Sequence, residues 1–155
     1  MSDLAEELGL SKAAIYHHFE SKESILMNLV QTTFQDMGAL VHEVESLPPS
    51  KVNHSEMLRR FAEILFNHRQ VVSLVLFQLP IELRTPGIQR RDYMVRLQEI
   101  IAGKKPTLER RIRARAATAI IATGIVPPPF GELQRKDEID LALLVRIAVD
   151  ALKDD

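Results

Sequence analysis

Residues 2–23 read SDLAEELGLSKAAIYHHFESKE, from Ser2 to Glu23. Two short helical patterns flank one glycine. Ser2 can cap the first, over about Ser2–Leu8, and Asp3 and Glu6 sit where a helix N-terminus favours acids. Gly9 permits the positive-φ turn that ends it. Ser11 can cap the second helix, from Lys12 to His18 or Phe19. Leu4, Leu8, Leu10, Ile15 and Phe19 are spaced to pack both helices on one core. Ala5 is small where the two approach most closely. The pattern predicts a helix-turn-helix. Its second helix leaves Ser11, Lys12, Ala13, Tyr16 and His17 outward, with Lys22 just beyond. Those short or polar side chains suit the major groove and phosphates. His17 and His18 are neighbours on a helix and point about 100° apart, so they cannot readily chelate one ion. No metal site is expected.

Beyond this head the apolar residues recur at spacings of three and four, and helices are expected throughout. Ser21 opens a long one to about Glu45, broken at Leu47-Pro48-Pro49-Ser50. A second runs from about Ser55 to His68. Residues 70–79 are nearly all apolar and are read as a buried helix ending at Pro80. Further helices are expected from about Ile88 to Ala102, ending at Gly103, and from about Thr107 to Thr123, ending at Gly124. After Pro127-Pro128-Pro129, Asp137 starts a last helix to about Lys153. The expected fold is all-α. A helix-turn-helix head over residues 1–30 joins a longer helical domain over 31–155.

Composition narrows the function classes. The 155 residues are 46% apolar and 26% charged with a net charge of −1, which suits a globular domain. There is no Cys, so disulfides, thiolate metal sites and a cysteine nucleophile are excluded. No apolar run is long enough to span a membrane. No signal peptide is seen, so the cytoplasm is the default location. No P-loop, Gly-rich dinucleotide turn, His-Glu-X-X-His or Gly-X-Ser-X-Gly occurs, and neither an enzyme nor a cofactor is expected. Charge is uneven. Residues 1–30 sum to −3, and residues 84–115 sum to +7. Arg110, Arg111, Arg113 and Arg115 cannot all share one helix face, so an ion-paired, solvated surface is expected there.

The run Asp3–Lys12, then Ile15-Tyr16-His17-His18-Phe19, then Ser21-Lys22-Glu23 closely resembles the TetR family of transcriptional repressors. Tyr16, Phe19, Lys22 and Glu23 form its most specific part. The resemblance implies a homodimer that binds a palindromic double-stranded DNA operator and answers to a small-molecule effector. It implies phosphate contacts for Tyr16 and Lys22, and base-edge or backbone contacts for Lys12, Ala13 and His17. Members carry a further helix before this motif, absent here. The chain is therefore expected to bind DNA weakly or not at all, while a longer parent binds. The alternative is a dimeric sensor or interaction module that ignores DNA.

The last two helices are apolar on nearly all sides and must be covered twice. A two-fold partner supplies the second cover. Ala117, Ile120, Ile121, Leu144, Ile147 and Ala148 are the expected interface, and arginine at Ala117 or Leu144 is expected to dissociate the dimer. A ligand pocket between the central helices is expected at Phe61, Leu65, His68, Leu74, Gln78 and Tyr93. Its mostly apolar walls suit an apolar or amphipathic effector.

Overall fold

A computed structural model describes residues 22–73, 87–126 and 139–153. Among these, all regular structure is helical. The chain divides into two compact units, Met1–Thr32 and Thr33–Asp155. The described part of the first is the opening of α1, Lys22–Ser46.

In the second unit, α1 continues with Met37, Leu40, Val41 and Val44 buried, the spacing of one helix face. A 3₁₀ turn at Pro49–Lys51 follows. Helix α2, His54–Asn67, starts behind Asn53, whose side-chain oxygen accepts from the Glu56 amide at 3.1 Å. The cap thus lies two residues before the Ser55 start expected from sequence. Met57, Leu58, Phe61, Ala62 and Leu65 form its buried face. His68 ends α2, and α3, Arg69–Ser73, follows at once. The expected helix over 70–79 is described only as far as Ser73.

Helix α4, Gly87–Ala102, ends at Gly103, whose φ of +83° is the left-handed cap that glycine adopts without strain. Helix α5, Leu108–Ile125, begins behind Thr107, whose hydroxyl accepts from the Arg110 amide. It does not end at Gly124. That glycine lies inside the last turn, where a Cβ would fall within 2.9 Å of Leu144 Cδ1 and closer still to Cδ2. Gly124 is there for close approach to the last helix, not for a turn. Helix α6, Leu141–Asp150, starts behind Asp140, which accepts from the Leu143 amide at 2.9 Å. Residues 137 and 138 lie outside the described set, and Ile139 and Asp140 are not helical.

Helix α6 packs on α2 and on α5, and α5 packs on α4 and α2. One core joins them to α1. Phe61, Leu40, Leu58, Leu97, Ile101, Ile121 and Ile125 are its largest fully buried members. Thr118 is polar and only 1% exposed. Its hydroxyl accepts from Gln98 Nε2 at 2.9 Å and bonds back to the Arg115 carbonyl at 3.0 Å. This satisfies a buried hydroxyl and ties α4 to α5.

Candidate functional site

Ser11, Lys12, Ala13, Tyr16 and His17, the expected DNA-contact positions, lie outside the described residues. Lys22 is the first residue of α1.

Of the expected pocket residues, Leu74 and Gln78 also lie outside. Phe61 and Leu65 are members of the core cluster. His68 Nε2 meets Asp36 Oδ2 at 2.8 Å and bridges the end of α2 to α1. The Tyr93 ring packs against Gly38, where a Cβ would lie 3.0 Å from the ring and its hydroxyl. These four residues hold α1, α2 and α4 together. None of them lines either of the two grooves described next.

The first groove, of about 420 Å³, lies among the end of α1, the 3₁₀ turn, the end of α4 and the start of α5. Val44, Leu47, Val52 and Ile100 are among its apolar wall residues. Arg96 grips Glu45 with two prongs, one of them Nε to Oε1 at 2.9 Å. This contact holds the Glu45 carboxyl below the usual carboxylate range. The Arg96 guanidinium also lies 5.8 Å from the Tyr93 ring centre. His54 is half-buried in the groove. Burial, and then the charge of Arg110, push its pKa below the ordinary histidine value. The second groove, of about 490 Å³, runs between α2 and α6. Leu141, Val145 and Val149 are among its apolar lining, and Arg59, Glu63, Arg146 and Asp150 are its charged lining residues.

The His54 environment sets a pH dependence. A base whose folded-state pKa is depressed takes up its proton more readily when unfolded. Stability is then lost as pH falls through the ordinary histidine value, and the loss levels off below the folded one. The urea midpoint is expected to fall between pH 7.5 and pH 5.5, and His54→Gln is expected to flatten that fall. An unchanged slope in the variant would show that other groups set it.

The expected interface residues divide by face. Ala117, Ile121 and Ala148 are wholly buried in the protomer's own core. Ile120 and Leu144 are partly buried, and Ile147 is 43% exposed. The sequence reading named all six as interface without choosing a face of either helix. The structure turns three of them inward, so those three cannot touch a partner without the core opening. Leu143 and Ile112 are exposed although the sequence reading did not place them there.

Residues 1–29 match the sequence model of the bacterial regulatory proteins, tetR family. Among solved structures, the chain resembles a TetR family transcriptional regulator, PfmR, from Thermus thermophilus. Identity is 25% over 97% of this chain and 85% of that one, with a TM-score of 0.65. It also resembles a transcriptional regulator (TerR/AcrR family) from Aquifex aeolicus. There identity is 21% over 97% of this chain and 84% of that one, with a TM-score of 0.67. The likeness to the tetR family is carried in sequence by residues 1–29 of this chain. No curated protein matches it. Both of the solved proteins it resembles are described as transcriptional regulators.

Two features of this chain escaped the sequence reading. Arg110 and Arg113 reach from α5 to the end of α6. Arg110 Nη1 donates to the Leu152 carbonyl at 2.9 Å, and Arg113 Nη1 to that of Lys153 at 2.5 Å. Cations there also oppose the negative end of the α6 dipole. The arginine run was read as a solvated, ion-paired face. Arg96 and Arg113 do form ion pairs, with Glu45 and Glu109, but backbone capping gave no signal in the sequence. The first groove was missed because its lining, within 44–54, within 96–104 and at Arg110, comes together only in the fold. No helix among the described residues is long and apolar enough to cross a membrane.

Proposed function

We propose that this chain is a regulator of the TetR family, a ligand-responsive repressor of the cytoplasm. It binds a palindromic operator as a homodimer and is released by a small apolar or amphipathic effector. The match of residues 1–29 to the family's sequence model carries this reading. Ser11, Lys12, Ala13, Tyr16, His17 and Lys22 are its DNA contacts. Exposed Ile112, Leu143 and Ile147 on the last two helices, with partly buried Ile120 and Leu144, support the pairing of two copies. Effector binding shifts the balance between two dimer states that differ in operator affinity.

The test is fluorescence anisotropy on labelled duplexes from upstream of the chain's own gene, over a series of salt concentrations. Affinity is expected to fall steeply with salt. Lys22→Ala is expected to reduce the log–log slope by about 0.9, the share of one phosphate contact. An unchanged slope would remove Lys22 from the phosphate contacts. Residues 1–30 carry a net −3, which favours a second reading, a dimeric sensor that ignores DNA. Dimerisation without salt-sensitive binding to any of these duplexes would support it.

A further inference from the structure

We propose that a basic row on the outer side of α5, with the turn before it, docks on an anionic phospholipid surface. This goes beyond the effector and DNA readings and rests on neither. Residues 84–115 sum to +7, and the described contacts absorb only part of that charge. Arg96 is paired with Glu45 and Arg113 with Glu109, while Arg110 and Arg113 hold the carbonyls at the end of α6. Lys104, Lys105, Arg111 and Arg115 are exposed. Among the described residues no ion pair or hydrogen bond engages these four.

Leu108, Arg111 and Arg115 follow one another along α5 at spacings of three and four, as neighbours on one helix face. Leu108 is 74% exposed, the most exposed large apolar side chain among the described residues. Arg110, Arg113 and Gly124 are the α5 residues turned to α6 and its end. At about 100° per residue, Leu108 and Arg115 lie about 140–180° round the helix from them. The row therefore faces away from α6, and the exposed side of α6 stays free for the pairing of copies. A lipid surface answers both features of the row. Lysines and arginines clustered near an anionic leaflet are each attracted to it, and Leu108 supplies an apolar anchor at head-group level. A nucleic-acid backbone is met through charged and polar contacts and has no use for that leucine. A bound peptide seats its side chains in a groove. Of the row and the two lysines, only Lys104 lines either groove described above. A planar anionic surface needs no groove.

Vesicle flotation with the full chain tests this. The chain is expected to float with vesicles of phosphatidylcholine and phosphatidylglycerol in equal parts, and not with phosphatidylcholine alone. Its binding is expected to fall as salt is raised. Arg111→Glu combined with Arg115→Glu is expected to weaken binding by about tenfold or more. Both positions are exposed, so far-UV circular dichroism should stay unchanged. Lys104→Glu, in the turn, is a second variant with the same expected direction. Leu108→Ser is expected to weaken binding about fivefold and to leave its salt dependence in place. Four results would overturn the proposal: no flotation with the mixed vesicles, equal flotation with phosphatidylcholine alone, indifference to both charge-reversal variants, or indifference to Leu108→Ser. Labelled decaglutamate or a random-sequence duplex, bound through the two arginines while vesicles stay unbound, would give the row to an acidic peptide or a nucleic acid instead. Flotation is read without operator DNA, so its failure leaves the DNA reading to the anisotropy series.

Discussion

Ala117→Arg is expected to unfold the chain, not to separate two copies of it. Ala117 is fully buried where α5 meets the core. An arginine there must place a charged guanidinium among apolar side chains or force the helices apart. An unpaired buried charge costs about 3–5 kcal/mol, and overpacking adds about 1–3. The whole stability of a domain is about 5–15 kcal/mol. Far-UV circular dichroism should therefore show loss of helix or a much earlier melt. Ile147→Arg is the contrast. Ile147 is 43% exposed on α6, so its arginine reaches water and the fold survives. Light scattering at micromolar concentration should then read a helical monomer. A helical, monomeric Ala117→Arg would return that residue to the interface. A dimeric Ile147→Arg would move the interface off this face of α6.

Phe61→Ala should be the most damaging truncation in the chain. Phe61 has no exposed surface and is the largest fully buried side chain among the described residues. Removing a buried phenyl group costs about 3–5 kcal/mol, from lost transfer energy and the cavity left behind. With a urea slope of about 2 kcal/mol/M, the midpoint should drop by about 1.5–2.5 M. This also tests the alternative that Phe61 is the wall of a ligand cavity. A ring facing an open cavity leaves less packing to lose, and a cost under about 1 kcal/mol would restore it to that role.

Much of the architecture was legible because helix ends carry local chemistry. Thr107 and Gly103 mark their boundaries by side-chain type alone, one as acceptor for orphan amides and the other as a left-handed residue. Gly124 shows the limit of that logic. A glycine that stops a helix and one that admits a neighbouring Leu144 look alike in sequence, and only the neighbour distinguishes them. The expected interface residues show a related limit. On a helix apolar around its circumference, periodicity does not say which face is covered by its own chain. Ala117 and Ile147 have similar patterns and opposite fates. The first groove was illegible because Val44, His54, Ile100 and Arg110 come together only through the packing of α1, α4 and α5. The head was the reverse case. Residues 2–23 carry their meaning in spacing, and the family match fell on the same stretch.

The arginine clamp on α6 bears on how this chain can drift in evolution. Arg110 and Arg113 grasp the carbonyl oxygens of Leu152 and Lys153, and every amino acid carries a carbonyl oxygen. At Lys153, where the side chain is exposed, nearly any substitution leaves the grip intact. Constraint falls instead on the two arginines, about forty residues upstream. A lineage could change Lys153 and keep the segment after α6 docked, while losing either arginine would loosen a segment whose own sequence had not changed.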